Sequence, residues 1–180
     1  MPLQRGLILA GFASLLLAGC ESSGSGALPV ACPRPSMPAE TADLTRYRAG
    51  AAQDLTGVEF DARLTSVNGT CEAGRGNRSI EMEVVAGLSV ERGPAAQSRT
   101  VELPWMLAVV DNRTDAILNV QRFRDRLTFN PNETRVTTNS EPVRVTLPVS
   151  ESRRAQDYRV VVGFVLTPEE LALNRRRGPR

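Results

Sequence analysis

The sequence predicts an all-β chain, an antiparallel β-sandwich with one short C-terminal helix. Three observations carry that expectation. Apolar and polar residues alternate with a period of two through a succession of short segments, the pattern of strands with one face buried and one wet. Clusters of Gly, Pro, Asn and Asp separate those segments at the spacing of turns. No segment carries the apolar repeat of a long amphipathic helix. A small β-barrel satisfies the same pattern and is the alternative architecture.

Residues 39–47 read either as a short helical turn or as an extended arm. The first clear strand covers residues 58–65, with Val58, Phe60, Ala62 and Leu64 on one face and Glu59, Asp61, Arg63 and Thr65 on the other. Residues 68–77 hold Gly69, Gly74 and Gly76 and read as a turn. A phosphate cradle there would need a lysine and a strand–loop–helix context. Next, Ile80, Met82, Val84, Ala86, Leu88 and Val90 share one face, with Glu81, Glu83 and Glu91 opposite, until Gly93-Pro94 ends the strand.

Residues 100–111 form a third strand. Val101, Leu103, Trp105, Leu107 and Val109 line one face, and Met106, Ala108 and Val110 make the second half of the other face apolar too. That pattern belongs to a central strand or one covered on both sides. Pro104 requires a bulge or an unpaired amide, and Trp105 reads as a core anchor ahead of a ligand platform. After the turn at residues 111–115, parity changes. Leu118 and Val120 share one face, then Phe123, Leu127 and Phe129 take the other, which a bulge near Gln121 reconciles.

Arg122, Arg124 and Arg126 then project outward in a stripe. This stripe is either a site for phosphate or carboxylate groups or a solvated edge face, paired with Glu81 and Glu83, that guards against aggregation. Val143, Val145, Leu147 and Val149 make another strand, and Tyr158, Val160, Val162, Phe164 and Leu166 the last. Thr167-Pro168-Glu169-Glu170 is a helix start with a capping box. The helix is expected to end near Asn174 and to pack through Leu171.

Roughly six or seven strands in this order favour an immunoglobulin- or fibronectin-like sandwich. Tyr158, near the start of the last strand, resembles the tyrosine of a tyrosine corner.

The N-terminal segment is of a different kind. Arg5 precedes an apolar run from Leu7 to Leu17, the pattern of a secretory signal. The run is shorter than the roughly 20 residues a membrane-spanning helix needs. It ends in Leu17-Ala18-Gly19-Cys20, followed by the polar stretch Glu21-Ser22-Ser23-Gly24-Ser25-Gly26. This arrangement resembles the lipobox of bacterial lipoprotein precursors. The resemblance implies cleavage between Gly19 and Cys20 and lipidation of Cys20, whose acyl chains would anchor the chain to a membrane. Glu21 in place of aspartate implies the outer membrane, facing the periplasm. The expected organisation is then a signal at residues 1–19, a lipidated Ser/Gly/Pro tether at 20–40, one β domain at 41–174 and an arginine-rich tail at 175–180.

With Cys20 assigned to lipid, Cys32 and Cys71 remain of the three cysteines. In an oxidising compartment they are expected to form a disulfide, with two free thiols or a two-ligand metal site as the alternatives. Composition also narrows the chemistry. There is no histidine, and every basic residue is arginine. Nucleophiles that rely on a histidine base therefore have no partner, and a Schiff-base lysine has no residue. No cofactor is expected beyond the covalent lipid on Cys20.

Three functions fit these residues. The first is a non-enzymatic envelope lipoprotein whose β domain binds or helps assemble an envelope protein partner. The second is a binding module for anionic glycans or lipid head groups, using Arg122, Arg124, Arg126 and the arginine tail (Arg175, Arg176, Arg177 and Arg180). The third is a carboxylate-based enzyme acting on envelope polymers, which would need two carboxyl groups about 5–10 Å apart in a cleft. Nothing in the sequence marks a nucleic-acid binder.

Overall fold

The computed structural model describes residues 30–178 and residue 180. The signal, Gly19, Cys20 and most of the tether lie outside the described residues. Nine strands and one helix follow: β1 (Pro35–Ser36), β2 (Asp43–Tyr47), β3 (Val58–Ala73), β4 (Ser79–Arg92), β5 (Thr100–Asp111), β6 (Ile117–Thr128), β7 (Arg135–Asn139), β8 (Val143–Pro148), β9 (Tyr158–Phe164) and α1 (Pro168–Arg177). They form two sheets. One has the order β1-β9-β5-β6; the other has the order β2-β3-β4-β7, with β8 also on β4. β7 pairs with Gly87–Glu91 and β8 with Ser79–Val84, so the two short strands share one edge of β4. All pairings are antiparallel except β1 with β9.

This is a β-sandwich. The neighbours β3-β4-β8 and β9-β5-β6 match strands A-B-E and F-C-C′ of the immunoglobulin arrangement. Two of its internal marks are present. Trp105 sits buried on the C-equivalent strand β5, and Tyr158 opens the F-equivalent β9. The Tyr158 hydroxyl donates to the carbonyl of Pro148, closing a corner between β8 and β9. Two residues beyond Tyr158, where antibody domains carry an inter-sheet cysteine, stands buried Val160. Among the described residues no G-equivalent strand follows; β1 flanks β9 in parallel instead.

The core is built from the alternation read in the sequence. Ile80, Met82, Val84, Ala86, Leu88 and Val90 of β4 are all buried, as are Val101, Leu103, Trp105, Leu107 and Val109 of β5. β5 lies between β9 and β6, which explains its second apolar face. Pro104 does lack a partner for its nitrogen. Its carbonyl accepts from Val165 beyond the end of β9, so its donor-less side faces the place where that strand leaves the sheet.

Several expectations are corrected. Residues 68–73 are strand, not turn: β3 pairs with β4 from Phe60 opposite Arg92 to Ala73 opposite Ile80. A register shift between Leu64 and Ser66 reverses parity, so the inward side passes from even residues to Val67 and Cys71. The turn proper is short, and Gly76 and Asn77 enter the left-handed region there, with φ of 65° and 55°. In β6 no bulge occurs at Gln121, which pairs with Leu107 in register. The shift lies between Val109 and Val110, opposite Asn119 and Ile117. Ile117 and Leu118 are 68 % and 45 % exposed, so they are not core residues and their parity needed no second correction.

Residues 39–47 combine both expected forms, a single 3-10 turn at Ala39–Thr41 and then β2. The last helix starts as expected. Thr167 Oγ1 accepts from the Glu170 amide, and the Glu170 carboxylate accepts from the Thr167 amide. It does not stop near Asn174 but runs to Arg177. Its buried residue is Asn174, not Leu171, and Asn174 Nδ2 donates to the carbonyls of Glu40 (2.9 Å) and Asp43 (2.7 Å). A polar side chain is buried here because it satisfies two backbone acceptors, one in the 3-10 turn and one at the start of β2.

Cys32 and Cys71 are joined in a disulfide, with Cα atoms 5.6 Å apart across 39 residues. Closing a loop of that length restricts the unfolded chain by about 4 kcal/mol. Replacing both cysteines with alanine is expected to lower the unfolding free energy by about 2–5 kcal/mol. Urea titration with and without reductant checks this, because reductant should shift the wild type alone. Asn174→Leu should lower stability by about 1–3 kcal/mol by leaving two buried carbonyls without a donor. An unchanged urea midpoint would show that those carbonyls are solvated.

Candidate functional site

β6 is the edge strand of its sheet, paired with β5 alone. Its two faces differ because alternate residues point to opposite sides. Phe123, Asp125 and Leu127 turn inward and are half-buried, while Arg122, Arg124 and Arg126 turn outward and are exposed. Phe123 stacks on Trp105, ring centroids 4.4 Å apart, so the inner face of β6 is locked to the core. Trp105 keeps its indole N–H buried without a hydrogen-bond partner.

The structure places the three arginines together as expected, but their partners differ. Glu81 and Glu83 lie on β4 in the other sheet. There Glu83 pairs with Arg144 of β8, and Glu81 accepts from Thr146. The acids meant for the stripe are thus held by their own neighbouring strand. Arg126 pairs with Glu102 at 3.3 Å, both side chains more than half exposed. Arg124 stands opposite Pro104 and Arg122 opposite Met106, and neither makes an ion pair among the described residues. Glu102 offsets the charge of Arg126, so Arg122 and Arg124 carry the unneutralised part of the row, and the exposed pair itself adds only about 0–1 kcal/mol of stability.

The backbone of β6 adds to this. Phe129 N–H donates to the Arg99 carbonyl at 2.8 Å, and the register continues without a shift from Thr100–Thr128 to Val109–Asn119. In an antiparallel ladder the groups of alternate residues point to the same side. The odd-numbered residues of β6 therefore bond to β5, and the N–H and C=O groups of Arg122, Arg124 and Arg126 point to the open edge. Below that edge lies a groove of about 530 Å³ between β6 and β7, with Leu88, Leu103, Leu127 and Val136 among its lining and Asp125 and Glu141 on it. Further along, Gln121 Nε2 reaches the Arg144 carbonyl at 3.4 Å and brings β6 and β8 together. The side of the sandwich is thus open at one end only.

The arginine-rich tail is not free. Arg175 pairs with Glu40, Arg177 donates to Thr45 and to the Tyr47 hydroxyl, and Arg180 pairs with Asp43 and Asp61. Burial works against the charge on Arg180, but its hydrogen bonds to Asp43 and Asp61 outweigh this and hold its pKa above the ordinary value. Three of the four tail arginines are thus engaged within the chain, while Arg176 is exposed and makes no ion pair among the described residues. Because helix α1 continues three residues past Asn174, it carries the cations back onto β2 and β3.

The same cluster contains a pair of carboxylates. Asp43 and Asp61 share the Arg180 guanidinium, Arg63 pairs with Asp43 at 2.8 Å, and Thr45 donates to Asp61 at 2.6 Å. Their oxygens are occupied by partners within the chain, which makes them a clamp between the C-terminal segment and the sheet. No group of acids or cysteines suited to a metal ion occurs among the described residues, and no described helix is long and apolar enough to cross a membrane.

A second clamp lies at the β5–β6 turn. Asp111 accepts from the amides of Arg113 (2.9 Å) and Thr114 (3.1 Å) and from Arg153 Nη2 (2.9 Å). Arg153 in turn lies over the Tyr158 ring. Nothing in the sequence marked this set, because its members come from the β5–β6 turn, the β8–β9 connection and the start of β9.

Comparison with protein-family models, curated proteins and solved structures found no match for this chain.

The Arg113 amide above all, then the Thr114 amide and the Arg153 charge, hold the Asp111 carboxyl below its ordinary value against the opposing effect of burial. A depressed acid contributes stability above its unfolded pKa of about 3.9 and loses it as pH falls toward the folded value. Asp111→Asn should therefore lower the urea midpoint at neutral pH and converge on the wild type in acid below that range. An equal deficit at both pH values would assign the loss to packing instead.

Proposed function

We propose that this chain is a non-enzymatic envelope lipoprotein, anchored through lipid on Cys20, whose β-sandwich binds a protein partner in the periplasm. Leu17-Ala18-Gly19-Cys20, placed at the end of an apolar run behind Arg5, carries the anchoring half of this reading. The Cys32–Cys71 disulfide suits the oxidising compartment that the signal implies. The open β6 edge, with two unneutralised arginines beside a partly apolar groove, supports the binding half. Sequestration of Asp43 and Asp61 by Arg63, Arg180 and Thr45 favours a binding role over carboxylate catalysis.

A second reading keeps the anionic glycan or lipid head group as ligand. Arg122 and Arg124 favour it, since a row of guanidinium groups suits phosphate or carboxylate. It loses the contribution first expected of the tail, whose Arg175, Arg177 and Arg180 are engaged.

Mass spectrometry of the mature N-terminus should find an acylated Cys20 as the first residue. An unmodified Cys20, or cleavage elsewhere, would overturn the anchor and the envelope assignment with it. Cross-linking in intact envelopes should enrich a protein with the wild type and lose it with Cys20→Ala. Retention of polymer or lipid without any protein would favour the second reading.

A further inference from the structure

We infer that the open edge of β6 is a strand-addition site for a partner segment that alternates acidic and apolar residues. This deepens the protein-binding reading proposed above and rests on it. The inference starts from unsatisfied backbone. β6 is twelve residues long and pairs on one side only. The outward-directed N–H and C=O groups of Arg122, Arg124 and Arg126 give an incoming extended chain a ladder to extend.

Side-chain alternation then sets what the incoming chain must look like. In an added strand, successive residues point to opposite faces. Those on the outer face would stand beside Arg122, Arg124 and Arg126, and acidic residues there would meet the field that Arg122 and Arg124 leave unneutralised. Those on the inner face would reach the groove, where Leu88, Leu103, Leu127 and Val136 offer apolar contact. Arg124 and Arg126 line that groove together with Asp125 and Glu141, so its charge is balanced and its apolar side chains are what an inner-face residue would meet. The outer face therefore favours acidic residues and the inner face apolar ones, in register.

The same features argue against the commoner fate of an edge strand. A second copy pairing through β6 would set one arginine row beside another on the outer face, an arrangement like charges destabilise. Charges on edge strands commonly block self-association, and a row of one sign does so while leaving the edge open to a strand of the opposite sign. A free polyanion would use the guanidinium groups alone and would need neither the backbone ladder nor the groove.

Backbone use separates these cases. The detergent-solubilised full chain is titrated with a short peptide alternating glutamate and valine, its lysine–valine counterpart, polyglutamate and inorganic polyphosphate. The glutamate–valine peptide should bind, the lysine–valine peptide should not, and the amides of Arg122, Arg124 and Arg126 should gain protection from hydrogen exchange. Serine at all three arginines should weaken binding by about tenfold or more. Arg124→Ser and Arg124→Pro remove the same charge, but only the proline also removes an edge donor, without touching the β5 ladder; relative to Arg124→Ser, Arg124→Pro should weaken the peptide further and leave polyphosphate unchanged.

Exchange protection is read on the wild type, so a variant that folds poorly does not decide the matter. Peptide binding without protection at those amides, or equal peptide binding by Arg124→Ser and Arg124→Pro, would overturn strand addition. An inert peptide would also overturn it. An acylated Cys20 and a cross-linked envelope partner would then still stand, leaving the broader reading intact with the contact elsewhere.

Discussion

The rest of the structure depends on the burial of two central strands, β4 in one sheet and β5 in the other. Their inward rows supply a large part of the common core, from Ile80 to Val90 and from Val101 to Val109. Each fully buried aliphatic or aromatic side chain contributes about 1.5–3 kcal/mol relative to exposure. That burial must offset the ordering of long strands with many non-local pairings. Five of the other strands add directly to one of these two, β3, β7 and β8 to β4 and β6 and β9 to β5, while β1 adds to β9 and β2 to β3. The chain crosses between sheets after β1, after β4, after β6 and again after β8, and the last three crossings follow the Greek-key habit of such sandwiches.

A central pair leaves edges, and this chain treats its edges unequally. The β9 edge is closed by β1, which the Cys32–Cys71 disulfide ties to β3 in the opposite sheet through the preceding arm. The edge of β4 is filled by two short strands in line. The β2 edge is overlaid by α1, held through Asn174 and the Arg46–Glu170, Arg177–Thr45 and Arg180–Asp61 contacts. Among the described residues β6 is paired on one side only along its whole length, and two of its three outward arginines lack acidic partners. An open edge combined with a row of unneutralised cations draws attention to β6 as a recognition surface.

Charge serves two purposes in this histidine- and lysine-free chain. Where arginines meet acids across different elements, as at Asp43, Asp61 and Asp111, they fasten turns and the C-terminal helix to the sheets. Arginine suits this because its planar fork donates to several acceptors at once. Arg180 spans two carboxylates, and Arg177 reaches both a threonine and a tyrosine hydroxyl. Where arginines stand on a strand without facing acids, as at Arg122 and Arg124, they remain available to a partner.

Much of the fold and part of the site were legible in the sequence, and particular residues show why the rest was not. The strands β4, β5 and β9 and the capping box at Thr167 were legible because alternation and capping depend on neighbours within a few residues. The outward stripe of Arg122, Arg124 and Arg126 was legible for the same reason. The continuation of β3 was hidden because the shift after Leu64 reverses parity, and β7 was hidden because an edge strand with one valine has little alternation to read. The partners of Glu81 and Glu83, the clamp at Asp111 and the folding back of Arg175, Arg177 and Arg180 were not legible at all. By itself, then, the sequence determined which residues face inward, where the helix begins and which positions carry charge, because local backbone geometry sets all three. Only the tertiary structure decided which charges are spent inside the molecule and which edge stays open, because ion pairs and strand neighbours join residues far apart in the chain.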